Sequence, residues 1–238
     1  MADVLARADE LRSGRTPFVL ATVVRAERPT SAKPGDRALV LPDGTVEGFV
    51  GGDCAESTVR SQGMLILATG QSTLLRITPV AIDAPTQDGT VTVANPCLSG
   101  GTLDIFLEAM LPPALVHVYG DAPIARALVD LGRAIGYEVH AASTAVPLPA
   151  DLDAVVVASH GRGEQGILDA AIRAGVPYIG LVASPRRGAA VLAELDVPPE
   201  QRTHVHTPAG LDIGGRTPSE IALSIYAELI ASRAQRTG

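Results

Sequence analysis

The chain lacks the features that would link it to a membrane, to nucleic acid or to an oxidising compartment. Its 238 residues include two cysteines and no run of Lys or Arg, and no apolar stretch approaches the length of a membrane span. Two cysteines make no disulfide framework, so a redox, metal or cofactor role for the thiols stays open. A net charge of -7 offers nucleic acid or an anionic membrane no electrostatic attraction. Residues 1–15 carry charges of both signs in place of an apolar signal core, so we expect a cytoplasmic protein.

The composition and the prolines indicate two domains. A hydrophobic content of 46% in a chain of this length supports one large core or two smaller ones. Leu111, Pro112 and Pro113 mark the boundary, because paired prolines neither continue a helix nor pair in a central strand. We therefore expect an N-terminal domain over residues 1–112 and a C-terminal domain over residues 113–238.

The two halves differ in the order of their secondary structure. The first half is predicted to contain helices over 4–12 and 55–69 among strands at 18–26, 37–41, 46–52, 74–78, 90–94 and 102–108, with a hairpin turn at 42–44. The second half is predicted to contain strands at 115–120, 137–142, 153–159 and 178–184 and helices over 124–135, 164–174, 188–195 and 218–232. Apolar strands separated by helices form a parallel sheet covered on both faces. The predicted fold class is α/β, with an N-terminal α+β domain of short strands followed by a C-terminal Rossmann-like domain with a mostly parallel sheet.

The turn after the first strand of the second half departs from the dinucleotide-binding fingerprint. Gly120, Ala122 and Ala125 stand where G-x-G-x-x-G has three glycines. Asp121 adds a carboxylate where phosphates would sit, and no acidic residue follows about 20 residues later to bind a ribose. Binding of NAD(P) is therefore disfavoured. A Rossmann shape kept purely as architecture is the open alternative.

The later loops of the second half are richer in polar side chains. One strand is followed by Ser159, His160 and Arg162, and the next by Ser184, Arg186 and Arg187. Ligands of open parallel sheets bind at the carboxyl ends of strands, and arginine forks with helix N-termini suit phosphate. These loops predict a phosphate or pyrophosphate site. The alternatives are that the arginines only solvate a helix end and that His160 caps or orients a neighbour.

The C-terminal segment contains residue patterns that indicate a structural role rather than a metal or catalytic site. His204 and His206 share one face of a strand, but no third ligand at zinc-like spacing accompanies them, so metal binding is disfavoured. Thr217 and Glu220 flank Pro218 as a capping box for the last helix. The glycines at 214 and 215 could bring this loop close to the site.

Both cysteines stand beside glycines. With Asp53 as the N-cap and Glu56 at the third helical position, Cys54 becomes the first residue of a helix, where the helix dipole favours a thiolate. Gly51 and Gly52 leave its sulfur approachable. The second cysteine loop holds Cys97, Ser99, Gly100 and Gly101. We expect both loops to bind a ligand; the alternative is that the two cysteines are buried apolar residues.

Three segments, 31–56, 95–112 and 203–231, resemble the XdhC/CoxI/CoxF family, the accessory proteins of xanthine dehydrogenase and carbon monoxide dehydrogenase. The forms C-x-S-G-G-T-x-D-I at 97–105 and G-D-x-P-x-A at 120–125 are closer to the carbon monoxide dehydrogenase branch. The resemblance implies an N-terminal domain with a glycine-cysteine motif and a C-terminal Rossmann domain. That motif falls on Gly51, Gly52, Cys54 and Glu56, and the second cysteine loop on Cys97, Gly100 and Gly101. Asp53 departs from the pattern, which has another glycine there.

The same resemblance implies a maturation factor for a molybdenum hydroxylase, with no turnover of its own required. Such a protein binds the molybdenum cofactor, as molybdopterin or its cytosine dinucleotide form, assists its sulfuration with a cysteine desulfurase, and inserts it into the apo-enzyme. Cys54 and Cys97 would contact the molybdenum centre or its sulfur, and the predicted phosphate loops, with the turn at Gly120, would hold the rest of the cofactor. By analogy we expect a homodimer. An NAD(P)-dependent oxidoreductase with a degraded Rossmann motif and a cofactor-free docking scaffold are the alternatives.

Overall fold

The computed structural model describes residues 3–79, 89–95, 101–142 and 146–237. The chain divides into two compact units, residues 1–112 and 113–238. Within the described ranges, no helix is both long and apolar enough to cross a membrane.

The N-terminal unit is a mixed six-stranded sheet with a helix on each face. Its elements are α1 (Val4–Ser13), β1 (Phe18–Glu27), β2 (Arg37–Val40), β3 (Val46–Gly48), α2 (Asp53–Thr69), β4 (Thr73–Thr78), β5 (Thr90–Ala94) and β6 (Thr102–Met110). The strand order is β3-β2-β1-β6-β4-β5. All neighbours are antiparallel except β4 and β5, which run parallel.

Alternation along β1 decides which helix covers which face of this sheet. Val19, Ala21 and Val23 are at most 1% exposed and belong to the core that α2 completes. Phe18 points to the other face, where it joins Ala8 and Leu11 of α1. Side chains alternate across a strand, so one apolar run supplies two small cores.

The C-terminal unit is a five-stranded parallel sheet between two layers of helices. Its elements are β7 (Leu115–Tyr119), α3 (Pro123–Ala134), β8 (Glu138–Ala142), β9 (Leu152–Val157), α4 (Glu164–Arg173), β10 (Tyr178–Leu181), α5 (Pro185–Ala193), α6 (Pro199–Arg202), β11 (Val205–His206) and α7 (Pro218–Thr237). The order β11-β10-β9-β7-β8 is a doubly wound arrangement, with α3 and α7 on one face and α4 and α5 on the other. The predicted α/β fold class is confirmed.

Several predicted boundaries were wrong by a few residues. The third strand ends at Gly48 rather than at residue 52, because the positive φ of 135° at Gly51 does not continue an extended strand. Helix α5 begins at Pro185, three residues before the predicted start, because the side chain of Ser184 caps it. Helix α7 continues to Thr237, five residues past its predicted end. The short helix α6 was not predicted.

Candidate functional site

Cys54 lies in the first turn of α2, although not at the predicted position. Gly52, with an extended backbone, is the N-cap, and its carbonyl accepts from the amides of Ala55 and Glu56 at 2.9 and 3.1 Å. Asp53 is therefore the first helical residue and Cys54 the second, and the predicted capping role of Asp53 is wrong. Glu56 forms no capping box; it accepts from the Arg60 guanidinium at 2.7 Å. The first turn still places Cys54 where the helix dipole favours an anion.

A small cavity of about 170 Å³ adjoins Cys54, which is half-buried. Its lining residues are Thr30, Ser31, Gly52, Cys54, Ala55, Ile77, Asn95, Gly101 and Leu103. Its volume lies below the roughly 300–1,000 Å³ of typical small-molecule sites.

Asn95 holds the Cys54 turn and was not predicted. Its Nδ2 donates to the carbonyl oxygen of Cys54 at 2.9 Å and to Oγ1 of Thr58 at 3.0 Å. The Thr58 hydroxyl also donates to the Cys54 carbonyl at 2.9 Å. The only signal in the sequence is that Asn95 stands two residues before Cys97.

The second cysteine loop is described only at its end. Cys97, Ser99 and Gly100 lie outside the described residues, whereas Gly101 lines the cavity beside Cys54. A Cβ on Gly101 would lie 2.2 Å from the carbonyl oxygen of Pro29. Glycine is therefore required at 101 by the close approach of two backbone segments.

The C-terminal unit has a larger cavity, of about 690 Å³, at the carboxyl ends of β9, β10 and β11. Small-molecule sites have volumes of about 300–1,000 Å³. The lining residues are His160, Val182, Ala183, Ser184, Arg187, Pro208, Ala209, Gly210, Leu211, Asp212, Gly215, Ile221 and Ser224. The structure thus brings together three of the predicted site residues, His160, Ser184 and Arg187.

Arg187 is tied to a buried carboxylate beneath this cavity. It forms an ion pair with Glu164, whose side chain is 3% exposed and which also accepts from Ser159 Oγ at 3.1 Å and from the Gly161 amide at 2.8 Å. Burial alone would raise the pKa of Glu164, but Arg187 and these hydrogen bonds hold that pKa below its usual value. A guanidinium has five N–H donors, so Arg187 keeps donors for a ligand. Ser184 caps α5 at the cavity wall, and Arg186 is exposed in the first turn of the same helix.

Arg162 and Gly120 both contribute to the structure of the turn that follows β7. Arg162 forms an ion pair with Asp121, and Arg126 donates to the Asp121 carbonyl at 2.7 Å. From β7 the chain continues to β8 on one side of the sheet, and from β9 it continues to β10 on the other side. Doubly wound proteins bind a dinucleotide at this reversal of strand order, and the ion pair lies there. A Cβ on Gly120 would lie 2.3 Å from the carbonyl oxygen of Ala158, so glycine is required here by the close approach of the two backbone segments. Asp121 and Arg162 thus pair their charges at this turn, and disfavoured NAD(P) binding stays a prediction.

The two histidines near the C-terminus do not act as a pair. His206 lies in β11 beside Glu228, with Nδ1 3.1 Å from the carboxylate, and His204 lies outside that strand. Among the described residues, no group of three His, Cys, Asp or Glu side chains could hold a metal ion. The predicted capping box of α7 is confirmed: Glu220 accepts from the Thr217 amide at 2.9 Å, and Thr217 Oγ1 accepts from the Glu220 amide at 3.3 Å.

Three curated proteins are similar to the chain. YqeB of Escherichia coli (strain K12) is 24% identical, over 96% of this chain and 46% of YqeB. A probable xanthine dehydrogenase subunit of Bacillus subtilis (strain 168) is 28% identical, over 63% of this chain and 53% of that protein. PaoD of Escherichia coli (strain K12), a molybdenum cofactor insertion chaperone, is 23% identical, over 94% of this chain and 86% of PaoD. The chain spans about half the length of the first two.

A solved structure and two family matches complete the comparison. A crystal structure of a xanthine dehydrogenase from Bacillus halodurans superposes with a TM-score of 0.46 at 18% identity, covering 98% of this chain and 96% of that one. Residues 11–78 match the XdhC and CoxI family, and residues 116–229 match the XdhC Rossmann domain. With a match in each of its two units, the chain belongs to the XdhC and CoxI family.

Proposed function

We propose that this protein is a maturation factor that binds the molybdenum cofactor, assists its sulfuration and delivers it to an apo molybdenum hydroxylase. The observation that carries the proposal is the match to PaoD, which covers 94% of this chain and 86% of that chaperone. The client is an enzyme of the xanthine dehydrogenase or carbon monoxide dehydrogenase type. A cysteine desulfurase is the expected second partner, and a homodimer the expected assembly.

Each of the two cavities, taken within its own unit, offers side chains that suit one part of such a cofactor. The cofactor supplies a soft metal centre on a dithiolene, and thiolates are the side chains that bind soft metals and their sulfur. Cys54 lines the smaller cavity and is proposed to contact that end, and Cys97 is proposed as the second thiol. The larger cavity offers the N-terminus of α5, the Ser184 cap and the Arg187 guanidinium to phosphate oxygens. His160, which lines the same cavity, and Arg186, which is exposed in the first turn of α5, are proposed as further phosphate donors.

This chain's own residues would hold the binding groups in place. Asn95 fixes the backbone of Cys54 through its carbonyl oxygen. Glu164 fixes Arg187 through an ion pair at the larger cavity. Neither task requires the protein to turn over a substrate.

The test is anaerobic binding of the cofactor to matched variants. Ser184→Ala and Arg187→Ala should each weaken binding of the dinucleotide form by roughly tenfold, the effect of losing one hydrogen bond or charge contact. Arg173→Ala, which removes an exposed arginine paired with Asp196, is the charge control. Cys54→Ser should abolish retention of the sulfurated metal centre, with Ser61→Ala on the exposed side of α2 as its control. Unchanged binding and retention in all three test variants would contradict the proposed site.

A further inference from the structure

One wall of the larger cavity is the segment from Pro208 to Asp212, which links β11 to the approach of α7. Three successive amides of this segment donate to two elements of the fold, one to β10 and two to α7. Ala209 donates to the carbonyl oxygen of Leu181 at 3.1 Å, and Leu211 donates to that of Ser224 at 3.2 Å. The middle amide, that of Gly210, donates instead to a side chain, Glu228 Oε2, at 2.8 Å. The wall therefore depends on a carboxylate of α7 at its centre.

Glu228 is fixed by groups from two strands. The Tyr178 hydroxyl donates to Oε2 at 2.7 Å, and His206 Nδ1 lies 3.1 Å from Oε1. The His206 ring stacks on the Tyr178 ring with centroids 4.7 Å apart, so the two aromatic side chains of β10 and β11 also orient each other. Helix α7, strand β10, strand β11 and the cavity wall thus meet at one carboxylate.

The surroundings of Glu228 and Tyr178 determine the charge states of these two side chains. Burial would raise the pKa of Glu228, but the bonds from Tyr178, Gly210 and His206 outweigh that effect and leave the pKa below its ordinary value. Burial and the nearby carboxylate raise the pKa of Tyr178 far above its ordinary value. Glu228 is therefore an acceptor and Tyr178 a donor throughout the physiological range.

The Gly210 amide has little space in which to move toward another hydrogen-bond acceptor. Gly210 has φ of 102°, and a Cβ there would lie 2.3 Å from Ser224 Oγ. The backbone is thus pressed against α7 in a conformation that side chains disfavour. A hydrogen bond at this point determines where the wall stands relative to Ser184 and Arg187.

We propose that Glu228 is a positioning residue for the larger cavity: through the Gly210 amide it fixes the Pro208–Asp212 wall and thereby sets the affinity for the bound cofactor. The choice of ligand rests on the proposed function; the role in fixing the wall does not. Glu228 acts through Gly210 and does not touch the ligand. Tyr178 and His206 act one step further away, by holding the carboxylate.

The experiment uses the full chain and two independent readouts. Amide hydrogen exchange at Gly210 measures the wall, and anaerobic titration with molybdopterin cytosine dinucleotide measures affinity. Glu228→Ala should accelerate Gly210 exchange and weaken binding, each by roughly 10- to 100-fold, the value of a hydrogen bond to a charged group. Exchange at Leu128, a buried residue of α3, should stay unchanged, and Glu108→Gln, on an exposed carboxylate of β6, is the control substitution.

The conservative variant separates positioning from simple loss of packing. In Glu228→Gln, the amide oxygen still accepts from Gly210 and Tyr178, and the amide nitrogen can donate to a neutral His206. Binding and Gly210 exchange should therefore be closer to the wild-type values in Glu228→Gln than in Glu228→Ala, which keeps no side-chain acceptor for the Gly210 amide. Tyr178→Phe gives a milder variant if Glu228→Ala fails to fold.

The outcomes are distinguishable. Unchanged Gly210 exchange in a folded Glu228→Ala or Tyr178→Phe protein overturns the inference. Faster exchange with unchanged affinity overturns the link between the wall and binding. If the wild type binds no cofactor, the proposed function fails, and the exchange of Gly210 alone decides whether Glu228 fixes the wall.

Discussion

The substitution Gly120→Ala tests whether the glycine in the turn after β7 is required by the packing of the folded protein or by a ligand. In a dinucleotide-binding protein the glycine at this position serves a tight turn near a pyrophosphate. Here a Cβ on Gly120 would lie 2.3 Å from the Ala158 carbonyl oxygen and 3.1 Å from Ser159 Cα, at a φ of 127°. Gly120→Ala should therefore destabilise the folded unit with no ligand present.

The magnitude follows from two costs. A non-glycine residue at positive φ costs roughly 1–2 kcal/mol, and forcing a methyl group against packed backbone costs roughly 1–3 kcal/mol more. Gly120→Ala should thus lower the free energy of unfolding by about 2–5 kcal/mol. Gly136 is the matched control, because its φ is 88° and no atom lies within 4 Å of its added Cβ. Gly136→Ala should cost the strain alone, about 1–2 kcal/mol.

The assay can report on the C-terminal unit by itself. All four tyrosines, Tyr119, Tyr137, Tyr178 and Tyr226, lie in that unit, and the chain contains no tryptophan. Urea unfolding followed by tyrosine fluorescence therefore compares the two variants where the substitutions lie. If Gly120→Ala is no more destabilised than Gly136→Ala, the glycine is not required by strand spacing and our interpretation of the turn is refuted.

Three further predictions concern the polar contacts. Glu164→Gln should destabilise the C-terminal unit by roughly 1–3 kcal/mol, because it removes the negative charge that faces the Arg187 guanidinium and accepts from two other donors. An unchanged urea midpoint would contradict this. Glu164 and Glu228 have lowered pKa values, so their contribution to stability should be complete above about pH 4.5 and lost as the pH falls through the lower folded-state values. An acid titration followed by tyrosine fluorescence measures that loss, and Glu228→Gln should reduce its pH dependence. Asn95→Ala should loosen the first turn of α2 and speed maleimide labelling at Cys54, assigned by peptide mass spectrometry; equal rates would show that Asn95 does not hold the turn.

Local chemistry was predictable from the sequence. The capping box at Thr217 and Glu220 involves neighbours three residues apart, so spacing alone identifies it. The parallel sheet was predictable because its strands are apolar along their length and alternate with helices. Such strands are buried on both faces, and the helices supply the covering layers. The start of α2 was less certain, because Gly52 and Asp53 are both acceptable N-caps and only the tertiary path of the chain selects between them.

Long-range partners were not predictable. Glu228 and Gly210 are 18 residues apart, and Asp121 and Arg162 are 41 apart. The sequence placed Asp121 and Arg162 at the same edge of a sheet, but not in contact with each other. Arg187 was predicted to face phosphate, and its ion pair with Glu164 emerges only when α4 and α5 pack side by side. Such pairings depend on the relative placement of whole elements, which residue patterns do not encode.

Anaerobic equilibrium binding of the molybdenum cofactor to the wild-type protein, with NAD(P)H titrated in parallel, distinguishes a maturation factor from an oxidoreductase. Both the molybdopterin and the cytosine dinucleotide forms are titrated. We expect saturable binding of the cofactor and no binding of the nicotinamide nucleotide, because Asp121 and Arg162 pair where its pyrophosphate would sit. Saturable NAD(P)H binding without cofactor binding would contradict the maturation role and favour an oxidoreductase. Binding of neither ligand would contradict it as well and favour a docking scaffold.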